Sequence, residues 1–166
     1  MSYLARVGIG YDFHRVVNQV GASIPICGVQ FECDLKVQAH SDGDVALHAV
    51  TDAILGAMAQ GNIGTHFPNT DERWRNCESK VFVQCANKLV LDAGGKLINI
   101  DMTIVCERPK IMPRSFEMRK CLAKILDMDI QNISVKAVTT EGMGSIGRGE
   151  GIAVQAICSI MMPYRT

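Results

Sequence analysis

The chain lacks a net charge of either sign: Lys and Arg total 17, Asp and Glu total 17. Nucleic-acid and membrane surfaces select for clustered Lys and Arg, so neither is an expected partner. Apolar runs are short, and none approaches the roughly 18 residues of a membrane span. Residues 1–6 lead directly into a strand-like 7–10, so neither a signal nor a transit peptide is expected, and the cytoplasm is the expected location. The seven cysteines, at 27, 33, 77, 85, 106, 121 and 158, are odd in number and never spaced C-x-x-C. That excludes a disulfide framework and a thiolate zinc knuckle, and it points to a reducing compartment. Cys85, Cys106 and Cys121 fall on apolar patterns and read as small core residues. No internal repeat, low-complexity tract or linker divides the chain.

What remains is 166 residues, 48% hydrophobic and 20% charged, the proportions of one domain with a real core, spanning 1–166. Residues 4–10 read as a first strand. In the segment that follows, Asp12 and His14 alternate and so point to one side of extended backbone. Residues 24–29 suggest a hairpin. A polar loop over 39–44 offers Ser41, Asp42 and Asp44 as N-caps for a helix whose Leu47, Val50, Ile54, Leu55 and Met58 form a stripe, with Gly61 placed to end it. Residues 61–71 form a loop rich in Gly, Pro, Asn and Asp. Ser79 can cap a second helix with Phe82, Cys85, Ala86, Leu89 and Val90 inward, stopped at Gly94 and Gly95. From Lys96 the period is two: Ile98, Ile100, Met102, Ile104 and Cys106 share one face. A third helix turns Phe116, Cys121, Leu122, Ile125 and Leu126 inward. Strands over 133–139 and 152–160 flank a Gly-rich loop. This order predicts an α+β domain, a mixed β-sheet packed with helices.

Three clusters carry possible chemistry. His48 and Asp52, one turn apart, fit a metal ligand and the carboxylate that supports it, or equally a half-buried histidine satisfied by its neighbour. Asp12, His14 and His48 together make a two-imidazole, one-carboxylate set suited to zinc with a fourth position open. Residues 139–151 supply hydroxyls, a carboxylate at Glu141 and glycines that let backbone N–H groups approach phosphate, or they form an ordinary hairpin loop. Arg148 and Glu150 in that loop read as site residues or as a structural ion pair. Residues 108–113 offer Lys110 as a point charge between prolines that stiffen the backbone, or a plain strand-to-helix connection.

Read together, these stretches resemble the 2-C-methyl-D-erythritol 2,4-cyclodiphosphate synthase family of non-mevalonate isoprenoid biosynthesis. The resemblance is carried by Gly8-Ile9-Gly10-Tyr11-Asp12-Phe13-His14-Arg15, by Ala-His-Ser-Asp-Gly-Asp-Val-Ala-Leu-His over 39–48, by 61–71, by Glu107-Arg108-Pro109-Lys110, and by Gly-Arg-Gly-Glu-Gly-Ile over 147–152. It implies a homotrimer around a three-fold axis with active sites between subunits. It also implies zinc on Asp12, His14 and His48. Magnesium or manganese would accompany the substrate diphosphate at Glu141. Cys106, Lys110, Ile111, Met112, Ala137, Thr139 and Thr140 would line the cytidine diphosphate side. His40, Ser41, Asn62, Ile63, Gly64, Phe67, Asn69 and Asp71 would cradle the sugar phosphate, and Arg148 with Glu150 would close an axial channel. Asp12, His14, His48, Thr139 and Glu141 are the expected catalytic set.

The implied reaction is attack of the 2-phosphate of 4-diphosphocytidyl-2-C-methyl-D-erythritol 2-phosphate on its own β-phosphorus, releasing CMP. Such a step needs positioning and charge neutralisation, because the nucleophile is already an anion. Asn62 and Asn69 stand where the family usually has Asp, and Ser145 where it usually has Phe. The rival readings are a zinc phosphoester hydrolase and a non-catalytic nucleotide- or metal-binding regulator.

Overall fold

The computed structural model describes residues 2–39 and 41–164. The elements are β1 (Tyr3–Asn18), β2 (Ser23–Ile26), β3 (Val29–Glu32), β4 (Leu35–Val37), α1 (Val45–Ala57), α2 (Ile63–His66), α3 (Lys80–Asp92), β5 (Lys96–Val105), α4 (Ser115–Leu126), β6 (Ile133–Val138), α5 (Gly144–Gly147) and β7 (Gly151–Pro163). A five-stranded sheet runs β4-β1-β7-β5-β6, and β2 and β3 form a separate hairpin. Among the described residues only the β5–β6 pair is parallel, so the sheet is mixed and the fold is α+β, as the pattern predicts. Among the described residues no helix is long and apolar enough to cross a membrane.

The first strand continues well beyond residue 10, and this extension places the chemistry. Strand parity sends Gly8, Gly10, Asp12 and His14 to the face that meets the helices. Opposite them on β7 stand Cys158, Ala156, Val154 and Ile152, each no more than 1% exposed. Helix α1 lies directly on β1: a β-carbon at Gly8 would sit 1.9 Å from the Ala53 carbonyl oxygen, and one at Gly10 1.9 Å from that of Ala49. Glycine is required there for the helix to come this close.

Helix α1 is buried nearly all round, with Val45, Leu47, Val50, Ile54 and Leu55 at 2% exposure or less, as befits a helix between a sheet and further helices. Among the expected caps it is Asp44 that begins it, accepting from the backbone of Ala46 and Leu47. Its end differs from expectation. Gly61 is not the terminator; Ala59 takes the left-handed conformation at φ 56°. Gln60 N–H then donates to Leu55 O at 2.9 Å and Ala59 N–H to Gly56 O at 3.0 Å, the two bonds of a Schellman ending.

Helix α3 packs on α1, and α4 on α3 and β6. Phe82, Val83, Ala86 and Val90 face in, but Cys85 is exposed and so is not a core residue. In α4 the buried side is Met118, Leu122, Ala123 and Leu126, with Cys121 and Ile125 half-buried against the core; of the residues expected inward Phe116 alone is not, at 63% exposed. A bulge between Leu97 and Asn99 flips the parity at the start of β5. Leu97 is therefore buried and Ile98 exposed, whereas Ile100, Met102 and Ile104 keep the expected inward face.

The opposite face of the sheet carries apolar side chains without cover. Val7, Ile9, Tyr11 and Phe13 of β1 are 67%, 59%, 58% and 69% exposed, and Ile157 of β7 is 42% exposed.

Candidate metal centre and its clefts

One ligand atom from each of Asp12, His14 and His48 can be chosen so that all lie within 4.8 Å of one another. Two residues come from β1 and one from α1, so the triad exists because α1 rests on the glycines of β1. Oδ2 of Asp12 is 3.0 Å from His14 Nε2 and 3.2 Å from His48 Nδ1. Burial opposes ionisation of Asp12, but hydrogen bonds from both histidines outweigh it and hold the carboxyl far below the usual range. Burial likewise works against a charged His14, and the Asp12 carboxylate overcomes it and pushes the imidazole up.

The far nitrogens of both rings are occupied. His14 Nδ1 lies 3.0 Å from the Gly43 carbonyl oxygen, and a carbonyl can only accept, so Nδ1 carries a proton and Nε2 is the ligand atom. His48 Nε2 lies 2.8 Å from Ser79 Oγ and 3.2 Å from Ser41 Oγ, which leaves Nδ1 toward Asp12. Each ring thus aims one nitrogen inward and anchors the other, the arrangement of imidazoles that bind a divalent cation. The donor set fits such an ion.

The expected partner of His48 is placed elsewhere. The Asp52 carboxylate accepts from the Ile63 N–H at 2.6 Å, so it pins the start of α2, because α1 directs it toward the 61–66 segment. Asp42 and Ser79 stand behind His48 instead. The hydroxyl of Ser79 is turned to Asp42 and makes no capping bond, although Ser79 precedes α3.

A cleft of about 590 Å³ opens beside the triad, lined by His14, Ser41, His48, Ile63, Gly64, Phe67, Asn69 and Asp71. These are residues expected at the site from sequence; Trp74 and Arg75 of the same wall were not, and Phe82 was expected only as a core residue. Phe67, Trp74 and Phe82 stack with centroid separations of 4.6 to 5.9 Å, and Phe82 reaches His48 at 5.9 Å. Arg73 hydrogen-bonds Asp71 and holds its carboxyl below the ordinary range. Asn62 caps α2, accepting from Thr65 N–H at 3.0 Å, a task an amide oxygen performs as well as a carboxylate. His40 lies outside the described residues.

A second depression, about 230 Å³, gathers Cys106, Lys110, Ile111, Met112, Ala137 and Thr139. Beside it Thr139 Oγ1 donates to Glu141 Oε1 at 3.0 Å. Glu107, unassigned from sequence, accepts from Thr140 N–H at 3.0 Å and so moors the 139–142 loop to the end of β5. Arg148 lines neither cleft; its Nε donates to Glu150 at 2.7 Å, the ion-pair alternative. The two clefts share no lining residue within one chain.

The sequence profile of the YgbB family matches residues 5–161. A 2-C-methyl-D-erythritol 2,4-cyclodiphosphate synthase of Anaplasma phagocytophilum (strain HZ) is 49% identical over 170 residues, covering 99% of each chain. Among solved structures, the bifunctional IspDF of Campylobacter jejuni superposes with a TM-score of 0.91 at 38% identity, covering 98% of this chain but 43% of its own. This chain thus spans less than half of that protein. A CDP complex of IspF from Plasmodium falciparum gives 0.84 at 30% identity, covering 97% of both chains. With the match running through both β-strand ligands, the helix of His48 and the loops of both clefts, the chain belongs to the YgbB family.

Proposed function

We propose that this protein is a 2-C-methyl-D-erythritol 2,4-cyclodiphosphate synthase, one domain over 1–166 acting in the cytoplasm. It converts 4-diphosphocytidyl-2-C-methyl-D-erythritol 2-phosphate to the cyclic diphosphate and CMP. The single observation that carries the reading is the triad: two imidazoles anchored at their far nitrogens, aimed with Asp12 at one point on the wall of a cleft.

Within the reaction the 2-phosphate oxygen bonds to the β-phosphorus while the bond from that phosphorus to the oxygen bridging the phosphates breaks, and CMP leaves with that oxygen. Zinc held by Asp12, His14 and His48, with magnesium or manganese at Glu141, supplies charge neutralisation at the phosphate oxygens when bound. The chain's own residues do the positioning, which dominates phosphoryl transfer. Ser41, Ile63, Gly64, Asn69 and Asp71 hold the sugar phosphate beside the triad, with Phe67 as an apolar wall. Lys110 places a fixed positive charge against the diphosphate, Ile111 and Met112 with Cys106 and Ala137 bracket the cytosine, and Thr139 and Thr140 orient the phosphates. No side chain has to abstract a proton.

Because the two clefts are separate in one chain, a neighbouring copy completes the site. The uncovered apolar face of β1 and β7 supports a homotrimer that buries it, since contiguous exposed patches of this kind mark interfaces. Light scattering should give three times 18.1 kDa. Phosphorus NMR of the protein with substrate and magnesium tests the activity: a cyclic diphosphate with CMP, absent in Asp12→Ala, is the expected result. A linear phosphate would identify a hydrolase, and binding without turnover a regulator; either would overturn the proposal.

A further inference from the structure

We propose that Ser79 and Asp42 form a relay that fixes which nitrogen of His48 carries the proton, and so presents Nδ1 to the cation. This rests on the reading of Asp12, His14 and His48 as a cation site and names residues behind it.

Ser79 is fully buried and stands where α3 begins, the position in which a serine hydroxyl ordinarily caps a helix. It does not do so: its backbone is helical (φ −60°, ψ −19°) and its side chain makes no capping bond. The hydroxyl is committed to Asp42, with Oγ 2.8 Å from His48 Nε2. Asp42 is held in turn, one oxygen accepting from the Ser79 N–H at 2.9 Å and the other from the Asp44 N–H at 3.2 Å.

Proton counting then sets the direction of the chain. A carboxylate only accepts, and a hydroxyl has one proton to give. The Ser79 proton goes to Asp42, so toward His48 the serine offers lone pairs alone. Nε2 must therefore be an N–H, and Nδ1, which faces the Asp12 carboxylate at 3.2 Å and donates to it, is the nitrogen whose lone pair becomes available when a cation takes the place of that shared proton. Ser41 Oγ, 3.2 Å from Nε2 and itself accepting from the Gly43 N–H at 3.2 Å, presents a second acceptor to the same nitrogen. His14 obtains the same result from a backbone carbonyl. His48, in the first turn of α1, meets no carbonyl there among the described residues, and the serine–aspartate pair takes that place. Both are positioning residues; neither reaches the cation.

The test titrates zinc alone into metal-free wild type, Ser79→Ala and Asp42→Asn, with ¹⁵N-histidine NMR of the zinc-loaded proteins. Wild type is expected to show His48 coordinated through Nδ1 with a slowly exchanging Nε2–H. Ser79→Ala should bind zinc about 10- to 100-fold more weakly, the usual loss for a ligand's outer partner, with rapid exchange at Nε2. Asp42→Asn keeps the serine but replaces one acceptor by an amide donor; the serine proton is then turned toward His48, and affinity should fall similarly. Asp42→Asn and the wild-type spectrum decide the matter if Ser79→Ala does not fold. Zinc affinity in both variants equal to wild type, or His48 bound through Nε2, overturns the relay while leaving the triad. Failure of wild type to bind zinc overturns the triad and the relay with it.

Discussion

Replacing Gly10 with alanine is expected to damage stability and metal binding together, for one geometric reason. A β-carbon at residue 10 would stand 1.9 Å from the Ala49 carbonyl oxygen and 2.7 Å from the Ala53 backbone nitrogen. Both are main-chain atoms of α1, so no side chain can swing aside. Ordinary contact begins near 3.4 Å, and in a close-packed interior the helix must recede by about 1.5 Å. Ala49 adjoins His48, whose Nδ1 is 3.2 Å from Asp12; the retreat carries one ligand away from another. Ligand distances in a working site hold to about 0.2 Å, so zinc affinity should fall at least about tenfold. Overpacking costs about 1–3 kcal/mol, and against rigid backbone the upper end applies. At roughly 2–4 °C per kcal/mol for a chain of this size, Tm should drop by about 6–12 °C. Gly56→Ala is the control: it lies on the same helix, but its β-carbon would meet nothing nearer than Ile9 O at 3.6 Å, and alanine favours helix. Scanning calorimetry and zinc titration read both quantities. Wild-type Tm and affinity in Gly10→Ala, or equal damage in Gly56→Ala, would refute the reasoning.

Three further outcomes are expected. Asp44 is fully buried, and its carboxylate accepts from the N–H groups of Cys27, Gly28, Ala46 and Leu47. Asp44→Ala strands all of them and should cost about 3–5 kcal/mol in urea unfolding; a cost under about 1 kcal/mol would contradict its double role as helix cap and hairpin clasp. Ala59→Gly relieves a left-handed alanine and should stabilise by about 0.5–1 kcal/mol, visible as a higher urea midpoint; a lower midpoint would count against the Schellman ending. Burial pushes the Cys106 thiol up to about 11, so at pH 8 only about one molecule in a thousand holds the thiolate. Iodoacetamide at that pH should label exposed Cys85 and spare Cys106 by mass spectrometry; labelling of Cys106 first would be inconsistent with its burial.

How much of this was legible in the sequence depended on the range of the interaction. Asp12 and His14 share a face by strand parity, and Asp44 precedes an apolar run; both are local facts and both are found. Residues 106, 110–112, 137 and 139 do share one depression, but their grouping came from family motifs, not from any local period. The bulge at Leu97 moved one side chain across the sheet without altering composition. Helix α1 is apolar on nearly every side, so its pattern could not show which side meets β1; the glycines of β1 decide that. Ser79 was misread because an N-cap serine and a serine turned to a distant histidine are identical in sequence, and its partners Asp42 and His48 lie 37 and 31 positions away. Asp52 was misread for the complementary reason: helical spacing puts it near His48, yet a free backbone N–H at Ile63 competes for it and wins.

The most direct test of the account is subunit complementation, because it asks whether the two clefts of different chains make one site. His48→Ala and Lys110→Ala proteins, each inactive alone, are unfolded together at equal amounts and refolded. If each site takes its triad from one subunit and its lysine from the next, about one site in four is intact in randomly mixed trimers. CMP release should then return to about a quarter of the wild-type rate. No recovery in trimers of demonstrated mixed composition would mean that the triad and Lys110 serve the same chain, and the intersubunit site would have to be abandoned.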